Sequence, residues 1–139
     1  MMNKFTILIF VFFLSTISFG QIQEESEFKG KWIVEKIIEK PTDSKFLPLI
    51  EGFKNSTFIF NENKNFQITT TKNSELFKMM TSEVLVGSKW KFIAEEQLIK
   101  IGTQKDQFTS MMIFVKKINE QMFFHIHESG LTFLMKRKE

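Results

Sequence analysis

Two histidines and a scatter of carboxylates are the side chains that could hold a metal ion or move a proton. His125-Ile126-His127 sets two imidazoles on one face of a strand, about 7 Å apart along it and near enough to share a metal. The chain has 2 His and no Cys, so further ligands must be carboxylates such as Glu120 or Glu128, and disulfides and thiolate sites are excluded. Hairpin register decides where the imidazoles point. A two-residue Ser129-Gly130 turn groups Phe124 and Ile126 with Phe133, Met135 and Arg137, and turns the histidines outward. A three-residue turn ending at Gly130 groups His125 and His127 with Phe133 and Met135 instead. The Asn119-Glu120 turn, which sets Ile113 and Val115 with Phe124 and Ile126, favours the first. Neither a metal nor another cofactor is expected. There is no nucleophile elbow, glycine-rich phosphate loop or metalloprotease helix, and Glu95-Glu96 sits at a turn where solvation explains it. The expected protein is not an enzyme.

The elements that would carry these residues begin after an export signal. Residues 1–20 have a short positive start at Lys4, an apolar run over residues 5–14 broken only by Thr6, and the small residues Ser18 and Gly20 flanking Phe19. An apolar run of about 10 residues falls short of the roughly 20 that cross a bilayer, so cleavage before Gln21 is expected, leaving no membrane span. Without a cysteine the lipoprotein route is closed, and the expected location is periplasmic or extracellular. The whole chain carries a formal charge of +3, and losing Lys4 with the signal leaves a mixed-sign, weakly basic surface. Lys136-Arg137-Lys138 is the one dense basic run, too little to suggest nucleic-acid binding.

The remainder fits one domain: a polar leader over residues 21–27, expected to fray, then a β domain over residues 28–139. Phe accounts for 18 of the 139 residues, and the 13 beyond the signal supply core bulk without disulfides. A first strand runs from Trp32 towards Pro41, with Trp32, Val34 and Ile38 on one parity. Residues 41–53 carry Phe46, Leu47, Leu49, Ile50 and Phe53, too apolar for a solvated linker, and predict a flap packed over one end of the sheet; a short surface helix is the alternative. Residues 56–60 and 66–71 form the clearest hairpin, around three asparagines. Asn73 or Ser74 caps a short helix bearing Leu76, Met79, Met80 and Glu83 at helical spacing, a stripe expected to face the core. Turns then recur every ten residues or so to the last strand, residues 131–138. Eight strands joined by tight turns in so short a chain predict an eight-stranded up-and-down antiparallel barrel with one short helix and a flap loop, which removes exposed edges. An open sandwich is the alternative.

Several stretches look familiar as a set. They are Gly30-Lys31-Trp32 opening the first strand, Phe58-Ile59-Phe60 with its asparagine turn to Phe66, and Gly87-Ser88-Lys89-Trp90-Lys91-Phe92. Leu98-Ile99-Lys100-Ile101 and the strand ending Val115-Lys116-Lys117-Ile118 before Met122 complete it. Over residues 28–137 the chain resembles the small exported bacterial proteins grouped as lipocalin-like domains. The resemblance implies a closed calycin-type barrel in which Gly30 lets the incoming chain pass beneath, Trp32 plugs that end, and an arginine of the last strand, here Arg137, lies over the indole. A planar guanidinium stacks on an indole with about 0.5–2 kcal/mol, depending on burial.

Strand parity sends Phe58, Phe60, Phe66, Trp90, Phe92, Ile113, Phe124, Ile126 and Phe133 inward. Two functions compete for that interior. If it is hollow, the protein binds a small apolar or amphipathic molecule inside the barrel or at its mouth. If it is filled, the protein is a structural or protein-interaction module of the cell envelope.

Overall fold

The computed structural model describes residues 19–72 and 74–139; the apolar run of the expected signal and the candidate cap Asn73 lie outside the described residues. Alternating burial shapes nearly every strand. Within β3 (Ser56–Phe60) and β4 (Phe66–Thr70), Phe58, Phe60, Phe66 and Ile68 point inward while Ile59, Gln67 and Thr69 face out. These follow β1 (Phe19–Gly20) and β2 (Gly30–Glu39) and precede β5 (Lys89–Ile93), β6 (Leu98–Gly102), β7 (Met111–Ile118), β8 (Gln121–Ile126) and β9 (Thr132–Lys138).

Eight strands make a nearly closed antiparallel barrel in the order β4, β3, β2, β9, β8, β7, β6, β5. The first and last of them, β2 and β9, pair from Lys31–Lys138 to Glu39–Thr132, so the barrel closes where the chain begins and ends. Two register shifts in this pair, at Val34/Lys36 and Ile37/Glu39, reset the parity of β2. Ile37 is therefore packed against the core and Ile38 is exposed, the reverse of a regular strand. The incomplete seam lies mid-chain, where β4 and β5 share a single bridge, Asn65 to Lys89. The short β1 pairs with Ile118 and Lys117 of β7, and cleavage before Gln21 would remove it.

Helices close one end, here termed the roof. The flap forms a 3-10 turn (Ser44–Phe46) running into α1 (Leu47–Lys54); Pro48 suits the first turn of a helix, where a missing N–H costs nothing. A second helix, α2 (Glu75–Met79), is capped by Ser74, whose hydroxyl accepts from the Phe77 N–H at 3.1 Å, and runs into a π-turn (Met80–Val84). There are thus two short helices rather than one helix and a loop. The leader also departs from expectation. Ile22 is fully buried, and the Gln97 side chain holds it on both sides, accepting from the Ile22 N–H and donating to its carbonyl, each at 2.8 Å. A buried isoleucine and an amide clamp thus help to pin a polar stretch.

Candidate functional site

All nine residues assigned inward from strand parity converge, and they meet one another. Phe58, Ile113, Phe124 and Phe133 are wholly buried, Phe60, Phe66, Trp90 and Ile126 nearly so, and Phe92 is half-buried. Phe58 touches Phe66, Phe124 and Phe133 at ring-centroid distances of 5.9 to 6.1 Å, and Phe60 touches Phe66, Trp90 and Phe124 at 5.1 to 6.1 Å. From the roof, Phe53 of α1 drops onto Phe58 and Phe133 at 6.0 and 5.3 Å. Below, Phe28 packs edge-on against Phe60, Trp90 and Phe92. These rings are the core, each contributing about 1.5–3 kcal/mol on burial.

The end opposite the roof, the floor, is built around Trp32. Its indole N–H donates to the Phe28 carbonyl at 2.6 Å, and the Arg137 guanidinium sits 4.5 Å from the ring. Arg137 also donates to the carbonyls of Lys29 at 2.5 Å and Glu27 at 2.7 Å. One cation thereby ties the last strand to the incoming leader. Gly30 has φ +108°, a conformation that favours glycine, and a Cβ there would come within 3.2 Å of the guanidinium and press on it. A second cation repeats the theme: the Lys64 ammonium lies 4.0 Å above the Trp90 ring and pairs with Glu25 of the leader.

At the roof, two segments that the sequence keeps apart border a shallow, open cleft of about 430 Å³. Phe46 and Leu49 form one wall, Leu76, Met79, Met80 and Val84 the other, with Lys45 and Glu83 at its rim. The Leu76/Met79/Met80 stripe, expected to face the core, lines this cleft, and Met79 is 47% exposed. Phe77, one position off the stripe, takes the core place instead, stacked edge-on against Phe53 at 5.2 Å. Helical spacing was right for Met80, which packs against the core, but not for Met79, because α2 has a larger apolar side chain on its other face.

The histidines lie on the outer surface. Phe124 pairs with Phe133 and Met122 with Met135, the grouping expected of an outward His pair, though the connection is a four-residue loop bounded by the Ile126 N–H bond to the Leu131 carbonyl. His125 Nδ1 lies 2.7 Å from Thr132 Oγ1, His127 is exposed, and Phe114 stacks near both. Glu128 accepts from the Met112 N–H at 2.7 Å. Among the described residues no three His, Asp or Glu side chains group as a metal site, and no helix is long and apolar enough to cross a membrane. Asp106 is the carboxylate with a displaced pKa. It accepts from the Ser110 hydroxyl and from the N–H groups of Thr103 and Phe108, each at 2.9 Å; the Ser110 bond, foremost, holds it below the ordinary value of 3.8. These bonds organise the β6–β7 loop.

No family model, no curated protein and no solved structure matches the chain.

Proposed function

We propose that this is an exported, non-enzymatic, lipocalin-like barrel that binds a small apolar or amphipathic molecule, seated in the roof cleft rather than among the interior rings. The observation that carries the reading is the cleft's lining, far more apolar than that of the other depressions of similar volume. At about 430 Å³ the cleft also has room for a small molecule, whose sites span roughly 300–1,000 Å³. Its walls are aliphatic, aromatic and thioether, and its only charges stand at the rim. An alkyl chain or flat apolar ring would lie between Leu49 and Met79, leaving a polar end beside Lys45 and Glu83. Methionine suits ligands of varied shape because its unbranched, polarisable side chain repacks at low cost. The Gly30, Trp32 and Arg137 arrangement supports the lipocalin-like assignment, and the apolar run over residues 5–14 supports export.

Titration with 1-anilinonaphthalene-8-sulfonate and with a fluorescent fatty acid tests the reading. Saturable one-to-one binding is expected, weakened at least tenfold by Met79→Asp or Leu49→Asp with the melting temperature held within a few degrees. Binding that is absent, or indifferent to both substitutions, would overturn it. The filled interior favours a second reading, a packed module that recognises another protein, and that reading takes over if the cleft binds nothing.

A further inference from the structure

The barrel seam offers a different kind of site. At the Asn65–Lys89 bridge the Phe66 N–H donates to the Ser88 carbonyl at 3.0 Å, and the Trp90 N–H donates to the Lys64 carbonyl at 2.9 Å. Beyond it the strands part. β5 continues beside the turn over residues 61–65, while β4 continues beside Thr81 and residues 85–88, and a slot of about 460 Å³ lies between β4 and that segment. Backbone groups alternate sides along a strand, so Ile68, two residues after Phe66, also aims its N–H and C=O across the seam. β4 pairs only with β3, and among the described residues no backbone partner meets these two groups. Ser88, 2% exposed, borders the slot, and its hydroxyl is buried without a hydrogen-bond partner. Buried hydroxyls are nearly always satisfied, and an orphan beside an open ladder marks where an outside group would complete the set.

Chemistry selects the occupant. An N–H and C=O on one residue at the edge of a sheet are complementary to the backbone of an extended chain, the mode of strand addition. Exposed edges are ordinarily guarded by charge or proline. The opposite edge, β5, has Lys89 and Lys91, whereas β4, Phe66-Gln67-Ile68-Thr69-Thr70, has no charged residue and no proline. Every residue lining the slot is uncharged, although a quarter of the chain is charged, so an uncharged segment fits without stranding an ion. We propose that the β4 edge binds a short, extended, uncharged segment of a partner protein, its backbone pairing with Ile68, and the buried Ser88 hydroxyl turning about χ1 to meet its polar groups. This inference stands on the seam alone and is independent of the roof cleft.

The test uses the full chain, 15N-labelled, with the uncharged peptide acetyl-Thr-Val-Thr-Val-Thr-amide and a version N-methylated at alternate residues, which lacks the donors along one edge. Saturable shifts at the Ile68 and Ser88 amides and slowed exchange of the Ile68 N–H are expected. The N-methylated peptide should bind at least tenfold more weakly. Val86→Arg, at a 65% exposed wall position, should weaken binding at least tenfold with unchanged melting, and Ser88→Ala several-fold. No saturable shift, equal binding of both peptides, or shifts confined to Leu49 and Met79 would overturn the proposal. So would Ile68 protection that rises with protein concentration in the absence of peptide, which would make the occupant a second copy of the chain. Met79→Asp should leave the peptide response intact, so this site and the cleft can fail separately.

Discussion

The two ends of the barrel are closed by different physics. The floor is a lattice of directed bonds: Trp32 to Phe28, Arg137 to Glu27 and Lys29, Lys64 to Glu25, and Gln97 to Ile22. The roof is two short helices whose mutual contact is apolar, with Phe77 against Phe53 and Gly52. Directed bonds fix one geometry, and the depression beside them, at Trp32, Met122 and Met135, is rimmed by Glu27, Glu35, Lys117, Glu120, Lys136 and Arg137. Non-directional packing of short helices leaves gaps where curved surfaces meet, and the cleft and the seam slot both border the α2 segment. The roof is therefore where an apolar molecule can replace a missing neighbour without meeting a ring of charges.

Removing the floor's plug should have the largest effect. Trp32 is 6% exposed, so Trp32→Ala leaves a cavity and a stranded carbonyl at Phe28; a loss of about 3–5 kcal/mol is expected, measured by chemical denaturation. Dye affinity at the cleft should be unchanged wherever the variant is folded. A matching loss of dye binding would mean that floor and roof are one cooperative unit and the contrast is false.

At the roof, Gly52→Ala should cost less overall but act on the cleft. A Cβ there would overlap the Phe77 ring and crowd its Cβ, so α2 must shift; overpacking of this kind costs about 1–3 kcal/mol. The expected signature is a dye affinity changed several-fold at a modest drop in melting temperature, the reverse of the Trp32 variant. Equal dye binding before and after would show that the α1–α2 contact does not shape the cleft.

Arg137→Lys sharpens the floor. Lysine keeps the charge but cannot lie flat on the indole while donating to two carbonyls, and about 0.5–1 kcal/mol is expected at this exposed position. Amide exchange should quicken over residues 24–29 and not over α2. A uniform change across the chain would mean that the guanidinium does not tether the leader.

How much of this was legible in the sequence follows the range of the interactions. The hairpin from Phe58 to Ile68, the inward set of phenylalanines and the pairing of the first and last barrel strands were readable because alternation, turn residues and chain order specify them locally. The pinning of Ile22 was not, since one isoleucine in a polar stretch carries no period and its partner Gln97 is 75 residues away. The flap's helix was signalled by Pro48 at a first-turn position, but its many apolar residues read equally as loop packing. The cleft was hidden because its walls come from segments about 30 residues apart, and the stripe that makes one wall has no sequence mark for which side it faces. The seam depends on strand stagger, which alternation does not encode.

The smallest effect probes a polar element at the roof's rim. The β6–β7 loop leaves the barrel at the same end as the β8–β9 turn, since the His127 N–H bonds the Met112 carbonyl, and Asp106 holds it by accepting from Ser110, Thr103 and Phe108. Those bonds lower its pKa from 3.8, so the folded chain binds this proton less readily than the unfolded one. The stabilisation is therefore complete above the unfolded value and is lost as pH falls through it towards the lower folded one. Amide exchange at Thr103 and Phe108 should quicken over that acid window, ahead of any change at Trp32. Asp106→Asn, which cannot ionise, should flatten the acid response of the loop while leaving that of the floor. If floor and loop loosen together at one pH in both proteins, acid acts on the barrel as a whole, and Asp106 is not a separate lock on this loop.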